Sequence, residues 1–292
     1  MNLIIGFVLV AASVLGGFAA MGGSLSVLWQ PFELIIIVGA ALGAFVIANP
    51  VSVLVDTLRS LLAIGRQRPY DKEDYLELFA LLYMLFKTGK DDLKSLEKDL
   101  DDPLTSKFFS AFPAISGKRR NVVFLADYLR LVLLGSEKSH ELEPLIDTEI
   151  DSIEQELNKV PNALNVMADS LPAVGIVAAV LGVINAMGAI SEPPAVLGAL
   201  IGGAMVGTFM GVLLSYGVVG PIAGAIRDRR EQEVTYFLAV KSSLMAFLNG
   251  YHPRICVEYA RKTVSEEVRP HFEEVEGAMR DASQRTGMEL GG

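Results

Sequence analysis

The basic residues of this chain are confined to two stretches, and that confinement restricts the fold more than any motif does. No Lys or Arg occurs in residues 1–58 or 171–226; all 25 lie between Arg59 and Lys159 or after Ile226. The two basic-free stretches carry four apolar runs: Leu3–Met21, Leu34–Val55, Leu171–Ile190 and Val196–Ile222. About 20 helical residues at 1.5 Å each cover the roughly 30 Å hydrocarbon layer, so each run is long enough to cross a bilayer. The predicted fold is all-α, a polytopic membrane protein with four transmembrane helices. It is ordered as a hairpin in 1–58, a cytoplasmic helical domain in 59–168, a second hairpin in 169–226, and a cytoplasmic C-terminal helix and tail in 227–292.

Orientation follows from the same asymmetry. The links at 22–33 and 191–194 carry no basic residue, while Arg59, Arg66 and Arg68, and Arg227, Arg229 and Arg230, flank the opposite ends. The positive-inside rule puts both termini and residues 59–168 in the cytoplasm. Trp29 and Phe32, in the first link, suit headgroup depth. A cleaved signal peptide is not expected, because the first run has no basic n-region.

Between the hairpins, "YLELFALLYMLF" (75–86) and "VVFLADYLRLVLLG" (122–135) space their apolar residues as helices do. "SHELEPLIDTEIDSIEQELNKV" (139–160) reads as an acidic helix leading towards the third run. A further helix is predicted around 231–248, followed by an acidic polar tail expected to fray.

Several functions are disfavoured. The net charge of −9 argues against nucleic-acid binding. One cysteine, Cys256, cannot make an internal disulfide, and His140, His252 and His271 lack metal-ligand spacing, so no metal or cofactor is predicted. No phosphate-cradling loop, nucleophile signature or zinc-peptidase helix occurs, so the chain is not read as an enzyme. Within the bounds above, the four runs contain no Asp, Glu, Lys, Arg or His. Ion paths and proton relays are normally marked by such groups, so any ion that crosses here needs a carboxylate from a partner.

The remaining signals are small residues, one hydroxyl and two prolines. Gly203, Gly207 and Gly211 repeat every four residues on one face of the fourth run. Gly175, Ala178, Ala179, Gly182 and Ala186 do similarly in the third, a pattern that serves close helix approach within the chain or to another subunit. Thr208 is near midspan, where its hydroxyl either bonds the preceding helical turn or meets an ion, a water or a partner carboxylate. Pro172 and Pro221 stand at the cytoplasmic ends of runs three and four, as helix punctuation or, sharing one depth, as parts of a gate.

"GGSLSVLWQPFELIIIVGAALGAF" (22–45), "DSLPAVGIVAAVLGVINAMG" (169–188), "GALIGGAMVGTFMGVLLSYGVVGPIA" (198–223) and "NGYHPRICVEYARKTV" (249–264), with "ADYLRLVLLG" (126–135), resemble the bacterial flagellar stator family of MotA and PomA. The resemblance implies a subunit that surrounds paired single-span MotB-type partners, each supplying an ion-binding aspartate and anchored to peptidoglycan. It implies five copies around two, in the bacterial inner membrane, pushing on the rotor protein FliG. Its mechanistic prolines fall on Pro172 and Pro221, and its midspan threonine on Thr208. Sodium-driven relatives carry a threonine where this chain has Ala179, so H+ is favoured over Na+. The rotor-facing charges fall on Glu97 and on Lys90, where the family usually has arginine, with Lys87, Lys94 and Lys98 near enough to share the role.

Two other classes compete. A TolQ/ExbB-type energiser also wraps partner helices, but usually has three spans and would lack the first hairpin. A self-sufficient solute transporter is opposed by the lack of intramembrane polar groups and of a repeat between the hairpins.

Overall fold

The computed structural model describes residues 2–65, 70–134 and 139–286. Arg66 and Arg68 lie outside the described residues. Among those described there is no strand, and the helices run, in order, as α1 (Asn2–Ala20), α2 (Pro31–Ala48), α3 (Val51–Ala63), α4 (Lys72–Asp92), α5 (Glu97–Asp101), α6 (Lys107–Ser110), α7 (Pro113–Ser116), α8 (Arg119–Leu133), α9 (Ser139–Gly188), α10 (Pro194–Leu214), α11 (Gly220–Leu248), α12 (Pro253–Thr263) and α13 (Phe272–Thr286). Four helices among the described residues are long and apolar enough to cross a membrane, the matching segments being Leu3–Ala20, Leu25–Ala48, Ser139–Gly188 and Pro194–Leu248. At most 28% of any of those apolar windows is buried within the chain, which suits surfaces made for lipid or for other helices.

Helix ends follow local chemistry. Gly22, at φ 84°, turns the chain after α1, and the N–H of Gly23 donates to Phe18 O at 3.0 Å. Pro31 opens α2, since a first-turn proline gives up only an N–H that has no helical partner. Asp71 caps α4 by accepting from the N–H groups of Glu73 and Asp74, and Asp74 accepts from the Asp71 N–H in return. Gly250, at φ 81°, ends α11.

The chain divides into two compact units. One comprises Met1–Gln67 and Leu157–Arg229, the other Arg68–Glu156 and Arg230–Gly292. Two of the three crossings between them fall inside helices, in α9 and in α11.

In the first unit α1, α2, α10 and the second part of α9 carry the apolar segments. Ile37 and Ala41 of α2 are buried against Leu171 and Ala178 of α9, with Met210 and Leu214 of α10 beside them. A second cluster joins Val160 and Leu164 to Ala223 and Ile226. The predicted second span was longer than the observed one. Asn49–Pro50 ends α2, because the residue before a proline is pushed out of helical geometry, and α3 begins anew at Val51.

The second unit is built around α4. Residues 78–86 are all buried, so this helix is apolar all round and enclosed by its neighbours. Phe86 stacks on Phe247 at 4.7 Å, Tyr70 on Tyr236 at 4.7 Å, and Phe124 meets Phe237 edge-on at 4.9 Å. The expectation of a frayed tail fails over residues 253–286, while residues 287–292 lie outside those described. Residues 253–263 and 272–286 form α12 and α13, which bury Cys256, Val257 and Ala260, and Val275, Met279 and Ala282. Their apolar residues recur at three- and four-residue spacing beneath a charged composition, and α13 packs on α4.

Candidate functional site

The hairpin of α9 and α10 is where the predicted ion-path residues meet. Its two backbones touch. A Cβ placed on Gly211 would stand 2.7 Å from Leu171 O and 2.9 Å from Gly175 Cα. One on Gly175 would stand 2.9 Å from Gly207 O, and one on Gly182 2.6 Å from Ala204 Cβ. No side chain fits there, so Gly175, Gly182 and Gly211 are required by the packing of this chain on itself, while at Gly207, where a Cβ would stand 3.2 Å from Ala179 N, the neighbours would have to give way slightly. Gly203 meets a different neighbour, the Gln30 amide, whose Nε2 would lie 2.9 Å from a Cβ. Gly198 and Gly202 have open space around them.

Ala179 lies across from Gly207, with its N 3.2 Å from a Cβ built there, and Thr208 is the next residue. Both are half-buried. Of the two roles open to the Thr208 hydroxyl, the back-bond is not made. Thr57, Thr148, Thr235 and Thr263 donate to the carbonyl four residues back at 2.7, 2.8, 2.9 and 3.1 Å, and Thr208 does not. Its hydroxyl is therefore available to a group outside the helix.

The prolines do not punctuate helices. Pro172 lies inside the unbroken α9, and Pro221 is the second residue of α11 in a run that continues from α10. Pro221 cannot donate to the carbonyl four residues back, and its ring crowds that carbonyl. The helix widens into a π turn over Ser215–Val219 just before it, with the Gly220 N–H reaching back to Ser215 O. Nor do the prolines share a depth. Leu171 is level with Gly211, whereas Pro221 is ten residues beyond Gly211, roughly 15 Å farther along the helix.

Two polar groups in this unit escaped the sequence reading. Ser215 Oγ, in the π turn, is buried with no hydrogen-bond partner. Glu33, assigned to the first link, stands in the first turn of α2, within the membrane-crossing segment Leu25–Ala48, and its Oε2 is also buried without a partner. The signal for Glu33 was present in "QPFEL": a proline followed by an acid is how a helix begins.

The rotor-facing candidates are in the other unit. Lys90 is exposed in the last turn of α4 and Glu97 is exposed in the first turn of α5, each at the helix end whose dipole suits its charge. Buried Leu96 and Leu100 hold this corner down. Lys94 and Lys98 are exposed beside them.

The comparisons agree along the chain. Residues 4–92 match the model for the motility protein A N-terminal region, and residues 120–238 the model for the MotA/TolQ/ExbB proton channel family. Motility protein A of Escherichia coli is 41% identical over 293 residues, covering 99% of each chain. The chain belongs to the motility protein A family. Its counterpart in Salmonella typhimurium is 41% identical over 96% of this chain and 95% of that one. Chemotaxis protein LafT of Vibrio parahaemolyticus is 34% identical over 94% and 97%. In fold it matches MotAB of C. jejuni, with a TM-score of 0.73 at 16% identity, over 93% of this chain and 98% of that one. The flagellar MotAB stator complex of Bacillus subtilis gives 0.67 at 20%, over 87% and 92%. The chain is thus a multi-pass membrane subunit of the flagellar stator, in a proton-channel family. The match at residues 4–92 sets it apart from the TolQ/ExbB branch.

Proposed function

We propose that this chain is the wall of a proton path whose acid comes from another protein. The partner is a MotB-type single-span subunit anchored to peptidoglycan, and the assembly is five copies of this chain around two of the partner in the bacterial inner membrane, with both termini cytoplasmic. The observation that carries the reading is the α9–α10 hairpin: an uncharged surface whose midspan hydroxyl, Thr208, is unbonded to its own helix. A proton neutralises the partner's aspartate and lowers its cost in an apolar passage. One charge crossing the membrane releases about 2.3 kcal/mol per 100 mV, several times thermal energy. Release towards the cytoplasm passes Pro172 first and Pro221 farther along, where the π turn allows the helix to adjust. Ala179 offers no hydroxyl for sodium, so H+ is the transported ion and no cofactor takes part.

Motion of the helical unit then brings Lys90 and Glu97 to oppositely charged residues of FliG. Exposed charges of this kind set register and encounter rate more than affinity, which suits repeated stepping. Deletion of the gene should leave paralysed cells with intact filaments, and Pro172→Leu should do the same with the protein still in the membrane. Normal swimming by either strain overturns the reading. Reversing the charges at Lys90 and Glu97 should slow or stop rotation, and unchanged torque would move the rotor contact elsewhere.

A further inference from the structure

The block "NGYHPRICVEYARKTV" (249–264) has no part in the ion path or in the charged corner at Lys90 and Glu97. We propose, on the rotor reading of the previous subsection, that Tyr251, Ile255 and Tyr259 are the apolar anchor of the rotor contact. They receive an apolar ridge of the rotor protein that is bordered by acidic residues.

Tyr251, Ile255 and Tyr259 are 45%, 51% and 46% exposed, and they follow one another at four-residue spacing. The two tyrosine rings stack at 5.7 Å, so the surface is continuous rather than a scatter of single side chains. Its frame is fixed. Gly250 turns the chain out of α11, the His252 side chain accepts from the Arg254 N–H at 3.3 Å, and Pro253 opens α12. The opposite face of α12 is buried through Cys256, Val257 and Ala260, and α12 packs on α4. Tyrosines held in this way present a large contact area with little side-chain freedom left to lose.

Place and charge name the occupant. Lys90, in the last turn of α4, stands near enough to Cys256 for its charge to act on that buried thiol, which donates to Tyr251 O at 3.5 Å. The apolar surface thus adjoins one of the two rotor-facing charges. Along its side run Arg254 and Lys262, both exposed, each in a long ion pair of 3.8 Å, to Glu276 and Glu258. Exposed pairs of that length contribute little, so both cations remain open to an acidic partner. An apolar centre with a basic border fits a partner that carries acids around an apolar ridge, the same sign that Lys90 requires of the rotor. The exposed charges then set register and encounter rate, while the apolar centre supplies the hold that lets a step bear load.

The test places a photoreactive residue at position 255, or at 97, of the full chain, expressed with its partner in cells with intact filaments. Light should join position 255 to the rotor protein, as it joins position 97. Joining at 97 without 255 overturns the proposal alone, and joining at neither overturns the rotor reading with it. Position 255 joined to a second copy of this chain and never to the rotor also overturns the proposal, since the surface would then lie between copies. A second measurement reads torque under load at equal membrane abundance of the complex. Ile255→Ser combined with Tyr259→Ser should lower it several-fold, whereas Tyr259→Phe, which keeps the ring, should retain most of it. Wild-type torque in the double variant overturns the proposal.

Discussion

Between α9 and α10 the two backbones meet with nothing but glycine and alanine between them, whereas the helices around α4 are held together by aromatic rings. The difference is one of solvent. In lipid there is no hydrophobic gain in bringing two apolar helices together, so close van der Waals approach supplies the attraction and small residues make it possible. Around α4 the gain from burying large side chains dominates, and ion pairs such as Lys241–Asp147, at 2.6 Å, brace the surface. A glycine is indispensable in one unit and a phenylalanine in the other.

That contrast can be broken at four points, beginning with the strongest. Gly211→Leu should abolish folding of the hairpin, because its Cβ alone would stand 2.7 Å from a backbone oxygen. The same change at Gly198, which has open space, should leave folding intact. Membrane abundance and thermal stability in detergent distinguish the two, and equal tolerance would deny the seam. Phe86→Ala should cost about 3–5 kcal/mol by leaving a cavity against Phe247, read as a lowered midpoint of unfolding.

Two tyrosines of the second unit give a smaller, paired effect. Tyr236 is fully enclosed and its hydroxyl, beside the Asn121 amide, makes no well-formed hydrogen bond, so Tyr236→Phe should be neutral or stabilising by up to about 1 kcal/mol. Tyr128 donates to Glu149 at 2.6 Å, and Tyr128→Phe should cost about 1 kcal/mol. Denaturant midpoints of both variants decide, and the reverse order would mean that the buried hydroxyl is satisfied.

The smallest effect is electrostatic. Arg261 makes two 2.7 Å bonds to Glu258 and holds its carboxyl below the usual range. That stabilisation is present above the ordinary carboxylate value and is lost as pH falls through the lowered one. Glu258→Gln should therefore reduce stability at neutral pH and converge with wild type in acid, as seen by unfolding at a series of pH values. A constant gap would rule the ion pair out.

How much could be read beforehand depends on the kind of signal. Segregated charge and uninterrupted apolar length disclosed the all-α membrane class, because a bilayer accepts little else. Periodicity failed at α12 and α13, where charged residues outnumber the few apolar positions that dock. It also failed at α2, whose first turn was taken for a link. The glycines were visible as a stripe, yet only their neighbours separate Gly207 and Gly211, pressed on α9, from Gly198, pressed on nothing.

By itself, then, the sequence determined the membrane class, the number of spanning runs and, through resemblance, the family. Composition and spacing are local properties of the chain, and the bilayer reads them directly. The tertiary structure alone decided that Thr208 leaves its hydroxyl unused, that Pro172 and Pro221 stand at different depths, and that one carboxylate oxygen of Glu33 is buried without a partner. Each depends on which atoms of distant segments come within a few ångströms of one another, and no linear pattern encodes that distance.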